Sequence, residues 1–206
     1  MSATNSDPLV VWQRLRAGNE RPSAPIRPHQ AGLIDERPVA AVFRCADTCV
    51  ANETVFGQVP GALMDVSTWG HVVDNGVLAT LEYAVETLEV PLIVGLGHQD
   101  CPAMRTAMRA WTDAVIPDGA VRTVVEHAIG SIVRRGTGAD SLEALTSAHI
   151  AETGLGLLER SPVITRKIDA GQLAIVCATA DSGGRIAVHA TVGAVGEVDG
   201  ALLECV

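Results

Sequence analysis

Residues 90–104 read VPLIVGLGHQDCPAM, and this stretch decides the fold. Pro91 opens an unbroken apolar run, Leu92-Ile93-Val94, followed by Gly95-Leu96-Gly97. An apolar run this short is the pattern of a strand buried on both faces. The two glycines predict a sharp turn at its end. His98 and Cys101 then stand just past the carboxyl end of a central strand, where open α/β sheets place their ligands. His-x-x-Cys suits zinc, a borderline-soft ion that accepts both imidazole nitrogen and thiolate sulfur. The same two residues also fit a turn with an incidental histidine and a buried cysteine, so a metal assignment needs a third ligand.

The elements on either side alternate. Residues 7–20 predict an amphipathic helix with Leu9, Val10, Trp12 and Leu15 on its apolar side, packing on a body or on a second subunit. Pro22, Pro25, Pro28 and Pro38 make residues 21–38 an extended connector. Strands are expected over 38–44 (PVAAVFR), 62–66, 90–96 and 172–178 (QLAIVCA), with an edge strand over 185–191 after the Ser182-Gly183-Gly184 turn. Helices are expected over 51–57, from Asp74 to Leu88, and over 101–111, 121–135, 142–160 and 163–170. Asp74 or Asn75 caps one of them and Ser141 another. This alternation implies an α/β fold: a mainly parallel central sheet flanked by helices, with an N-terminal helical arm over residues 1–38 of one domain, 1–206.

The 206 residues are 48% apolar, enough for a sizeable core, and carry a formal net charge of -9. That charge argues against a nucleic-acid partner, which requires clustered lysine and arginine. Aromatic residues, at 3%, are too few to offer stacking surfaces to single strands. No stretch reaches the roughly 18 apolar residues of a membrane span, and the N-terminus MSATNSDPLVVW lacks the pattern of a secretory signal. The five cysteines are odd in number and scattered, so they read as reduced thiols or metal ligands of a cytoplasmic protein.

Cys45 closes the strand expected over 38–44 and supplies the third ligand. In a parallel sheet the ends of two such strands share one edge, and neighbouring strands are about 4.8 Å apart. Two thiolates and one imidazole can therefore converge on one ion. Three protein ligands leave the fourth tetrahedral place open, as in catalytic zinc sites.

Cys45-Ala46-Asp47, then Glu82-Tyr83-Ala84-Val85, then Gly97-His98-Gln99-Asp100-Cys101 together resemble the β-class carbonic anhydrases. The likeness runs from Leu15-Arg16-Ala17-Gly18-Asn19 to the hairpin after the LAIVCA strand. It implies zinc held by Cys45, His98 and Cys101, a homodimer or homotetramer, and reversible hydration of carbon dioxide to bicarbonate by zinc-bound hydroxide. It also implies that Asp47 accepts a hydrogen bond from the metal-bound water, and that Gln58 matches a glutamine beside the substrate.

The chain departs from the family pattern close to this pocket. The arginine that follows the aspartate by two, and clamps it off the metal, is Cys49 here. Either Asp47 or Cys49 is then placed to become a fourth ligand and close the site. The Arg-Asn-Ala-Gly-like turn is Ser67-Thr68-Trp69-Gly70, and Cys-Gly is Cys101-Pro102. Three readings stay open: a carbonic anhydrase of impaired activity, a pseudoenzyme with a closed zinc site, or a hydrolase of a related molecule such as carbonyl sulfide or carbon disulfide. His71 reads as a turn histidine or a proton shuttle, His127 and His149 as helix residues facing solvent or satisfied in the core, and Cys177 as inert packing.

Overall fold

A computed structural model of the chain describes residues 6–21, 37–48, 50–136 and 140–196, together with the backbone of 204–205. Its elements are α1 (Pro8–Asn19), β1 (Ala40–Cys45), α2 (Asn52–Val55), β2 (Leu63–Thr68), α3 (Asn75–Glu86), β3 (Leu92–His98), α4 (Pro102–Asp113), α5 (Val121–Arg135), α6 (Leu142–Arg160), α7 (Pro162–Asp169), β4 (Ala174–Ala180), β5 (Ile186–Val192) and β6 (Glu204–Cys205). A 3-10 turn, Trp69–His71, follows β2.

The strands form one sheet in the order β2-β1-β3-β4-β5-β6. β2, β1, β3 and β4 are parallel, and β5 returns antiparallel to β4. Strand order reverses between β1 and β3: one connection leads outward to β2, the next to β4. That is the switch point at which an open α/β sheet leaves a crevice beyond its carboxyl ends.

Side chains alternate across the pleat, so each strand serves two cores. Ala41, Phe43, Ile93, Ile175 and Cys177 face α3, α6 and α7. Val42, Leu92, Val94, Leu96 and Val176 face α1, whose Val11, Trp12 and Leu15 are all buried. The N-terminal helix thus covers the sheet of its own chain. Asn19 at its end ties α2 to the loop between β4 and β5, its amide donating to the carbonyls of Val55 (2.8 Å) and Gly184 (2.6 Å). A third core joins α4 and α5 above the carboxyl edge and contains Cys45 and Cys101.

One local expectation fails instructively. Gly95 and Gly97 do not turn the chain; both stay inside β3, and His98 is its last residue. Gly97 is there because α6 crosses close above it: a Cβ would lie 2.7 Å from Ile150 Cγ1. The turn falls later, where Asp100 takes φ 55°, a conformation aspartate tolerates better than most residues. Among the described residues no helix is long and apolar enough to cross a membrane.

Candidate metal centre

Cys45 and His98 each end a strand, and their strands are direct neighbours. Cys101 follows the turn and serves as N-cap of α4, with Pro102 in the first turn, where a missing N–H costs nothing. These three residues and Asp47 form a group whose ligand atoms all lie within 4.8 Å of one another. Both cysteines are buried, with Cys45 at 0% and Cys101 at 2% exposure. His98 and Asp47 are half-buried, so the group opens on one side. His98 also lines a cleft of about 440 Å³ bounded by Gln99, Thr146, Thr179 and Arg185.

The donor set fits zinc. Two thiolates each about 2.3 Å from a tetrahedral ion lie about 3.8 Å apart, and Cys45 Sγ and Cys101 Sγ are 3.8 Å apart. The His98 ring is oriented from behind: its Nδ1–H donates to the Gln99 carbonyl at 3.1 Å. That bond leaves Nε2 as the ligand atom, and Nε2 faces Asp47 Oδ1 at 2.8 Å.

The charges of the group are mutually dependent. The Cys45 thiol is pushed well up, chiefly by its hydrogen bond to Cys101 and then by burial. Cys101 is pushed down by accepting that bond, against its burial, with help from the backbone N–H groups of Met104 and Ala103 at the start of α4. The bond between the two sulfurs thus favours the thiol at Cys45 and the thiolate at Cys101. Burial pushes Asp47 up, but bonds from Cys45, His98 and Trp69 outweigh it and hold the carboxyl below the usual range. His98 is raised, first by its bond to Cys45 and then, against burial, by Asp47.

The 69–71 turn supports one wall. Gly70 N–H donates to Cys45 Sγ at 3.1 Å, a contact that stabilises a thiolate. Gly70 takes φ 67°, and a Cβ on it would lie 2.3 Å from Val124 Cγ1. Its carbonyl accepts from His149 Nε2 at 2.9 Å, and His149 Nδ1 accepts from Ser131 Oγ at 3.0 Å. His71 donates from Nε2 to the Leu96 carbonyl at 2.9 Å. Burial pushes His71 down to about 3, with His149 adding to the effect, and His149 down to about 4. His71 and His149 are therefore neutral internal struts, at 3% exposure each. Burial likewise pushes Cys177 up to about 12, as its reading as inert packing requires.

Gln58 is not drawn into the group. Its Oε1 accepts from Arg14 on α1 at 2.9 Å and its Nε2 donates to the Phe56 carbonyl at 2.7 Å. Cys49 lies outside the described residues. A residue not singled out from the sequence is Arg44, next to Cys45 in the chain. Its guanidinium grips both Asp65 oxygens, at 2.9 and 2.8 Å, and donates to the Thr48 carbonyl at 3.2 Å. It thereby braces the segment that carries Asp47. The Arg44–Asp65 contact depends on the register of β1 against β2, in which Val42 pairs with Asp65. The opposite charges of Arg44 and Asp65, each on an expected strand, were the only signal available.

A model of the carbonic anhydrase family matches residues 40–184. "Carbonic anhydrase 2" of Mycobacterium tuberculosis is 40% identical over 203 residues, covering 94% of this chain and 98% of that protein. The carbonic anhydrase of Mycolicibacterium smegmatis is 40% identical over 204 residues, covering 94% and 99%. Among solved structures, the Coccomyxa β-carbonic anhydrase in complex with acetazolamide has a TM-score of 0.63 at 20% identity, covering 74% of this chain and 72% of that one. A tetrameric β-carbonic anhydrase of Sordaria macrospora has a TM-score of 0.64 at 22% identity, covering 74% and 81%.

Proposed function

The chain belongs to the β-class carbonic anhydrase family, and on that premise we propose that it interconverts carbon dioxide and bicarbonate at a zinc ion held by Cys45, His98 and Cys101. The observation that carries this reading is the donor group itself: four ligand atoms within 4.8 Å of one another, at the crevice between β1 and β3. A zinc ion held there supplies a Lewis acid that brings the ionisation of water towards neutral pH, so that hydroxide is available to attack carbon.

The remaining work belongs to the chain. The Gly70 N–H and the start of α4 stabilise Cys45 and Cys101 as thiolates. The Gln99 carbonyl fixes the His98 tautomer. Asp47, kept ionised, offers an acceptor that orients the attacking oxygen and takes a hydrogen bond from it. Ala103, Met104 and Trp69 pack in one apolar core with Cys45 and Cys101 and support the donor group from behind. A second copy of the chain is part of the proposal: Trp111, Val115 and Ile116 stand 45%, 66% and 45% exposed around the end of α4, a surface suited to a subunit contact.

One observation favours a second reading. Asp47 Oδ1 lies 2.8 Å from His98 Nε2, within the donor group, so Asp47 is placed to be a fourth ligand and close the site. Stopped-flow hydration assays on the zinc-loaded protein and on Cys49→Arg separate the two. Turnover in both supports the enzyme. Turnover only in Cys49→Arg supports a closed pseudoenzyme, and turnover in neither, with zinc bound, removes the carbon dioxide reading.

A further inference from the structure

A run of hydrogen bonds leads from the helices behind the site to a ligand sulfur. Ser131 Oγ on α5 lies 3.0 Å from His149 Nδ1 on α6. His149 Nε2 lies 2.9 Å from the Gly70 carbonyl, and Gly70 N–H donates to Cys45 Sγ at 3.1 Å. Ser131, His149 and Cys45 are 1%, 3% and 0% exposed, so water does not compete for these bonds. A carbonyl only accepts, so the single hydrogen of the neutral ring is on Nε2, and Nδ1 accepts from the Ser131 hydroxyl. Were that hydroxyl to donate instead to the His127 carbonyl, 3.1 Å away, Nδ1 would be buried without a donor.

Helix packing alone does not call for this histidine. Burying an imidazole costs free energy that an aliphatic side chain between α5 and α6 would not. What the imidazole adds is a fixed place for Gly70. The turn is pinned on its other side by packing, since a Cβ on Gly70 would lie 2.3 Å from Val124 Cγ1 and 3.1 Å from Ala103 Cβ. Thr68 Oγ1 closes the turn by donating to the Val72 carbonyl at 3.1 Å. So held, the Gly70 N–H has one direction, towards the sulfur. A hydrogen bond to a thiolate withdraws charge from it and tunes the metal that it binds. The effect matters where two thiolates share one ion, because each lowers its strength as a Lewis acid.

We propose that His149 is a positioning residue for Cys45: by holding the Gly70 carbonyl it keeps the Gly70 N–H on the sulfur, which limits the charge that this thiolate gives to a bound metal. The inference rests on the zinc reading above. Ser131 belongs to the same device, since its hydroxyl selects the ring tautomer that can donate to Gly70.

The test compares two substitutions in the full-length protein loaded with cobalt(II). Both amide side chains donate, but a glutamine amide reaches as far as the Nε2 of the histidine it replaces, and an asparagine amide only as far as Nδ1. His149→Asn therefore loses the bond to Gly70, and His149→Gln keeps it. In His149→Asn the thiolate-to-cobalt absorption moves to lower energy and cobalt affinity falls roughly tenfold, the lower end of the range for partners one step removed from a metal. In His149→Gln the band stays in place and affinity stays within about twofold of the unsubstituted protein. An unmoved band in His149→Asn overturns the proposal, and so does an equal displacement in both variants, which altered packing would produce. Two readouts need no metal. In the unsubstituted ¹⁵N-labelled protein the His149 ring is the Nε2–H tautomer, and an Nδ1–H tautomer overturns the proposal even if neither variant folds. In metal-free His149→Asn the Gly70 amide proton moves upfield as its bond to sulfur lengthens, and an unmoved signal overturns the proposal. Less than one cobalt per unsubstituted chain, with that amide displacement present, supports the positioning and counts against the metal reading alone.

Discussion

Gly70→Ala tests whether the turn beneath the donor group is as tightly held as its geometry implies. Two costs fall on this position. Gly70 takes φ 67°, and alanine in that left-handed region costs roughly 1–2 kcal/mol. A Cβ would also lie 2.3 Å from Val124 Cγ1 and 3.1 Å from Ala103 Cβ, inside a closed core, and overpacking of this kind costs about 1–3 kcal/mol. Gly119 separates the two, because it has φ 71° with nothing within 4 Å of a Cβ. Gly119→Ala should therefore cost about 1 kcal/mol, from backbone strain alone. Gly70→Ala should cost about 3 kcal/mol or more, from strain plus overpacking. Urea unfolding of both variants gives the comparison as shifts in midpoint at constant slope. Zinc retention against a chelator gives a second reading, since a displaced turn takes the Gly70 N–H away from Cys45. If the two variants lie within about 0.5 kcal/mol of each other, the close contact with Val124 is not a real constraint and the reasoning fails.

Acidification should destabilise the fold through His71 and His149. Their folded values, about 3 and about 4, lie below the ordinary 6.5, so their contribution is whole above pH 6.5 and is lost as pH falls towards those values. Between pH 7 and pH 5 the loss is about 2 kcal/mol for each. His149→Gln should roughly halve the change in urea midpoint between those two pH values, and an unaltered change would refute the assignment. Arg44→Met removes the bidentate grip on Asp65 and the bond to Thr48. It should cost about 1 kcal/mol of stability and speed zinc loss to a chelator, whereas an unchanged rate would show that Arg44 does not brace the segment. Gln58→Ala should leave zinc at one per chain but lower stability by about 1 kcal/mol, because its bonds run to Arg14 and Phe56. Lost carbon dioxide hydration in that variant, with zinc and fold retained, would place Gln58 beside the substrate.

The sheet was readable because its strands are short, apolar and bounded by turns. Val42, Val94 and Val176, in separate runs, share one face of it. The long helices Val121–Arg135 and Leu142–Arg160 match the sequence expectation end to end, since periodicity over many residues averages out local ambiguity. Strand ends were less legible: β3 and β4 each finish two residues later than expected. Gly97 misled because glycine serves two purposes, turning a chain and admitting a neighbour, and only the position of Ile150 distinguishes them.

At the site, Cys45, His98 and Cys101 were legible because strand ends in a parallel sheet share an edge, so topology alone brings them together. The support around them was not. Arg44 meets Asp65 only through the register of β1 on β2. His149 reaches Gly70 across 79 positions of sequence.

X-ray absorption at the zinc edge of the purified, zinc-loaded protein tests the central claim most directly. Cys45, Cys101 and His98 with one oxygen ligand predict two sulfur neighbours at about 2.3 Å and two nitrogen or oxygen neighbours at about 2.0 Å, at one zinc per chain. Three sulfur neighbours, fewer than two, or zinc well below one per chain would contradict the account.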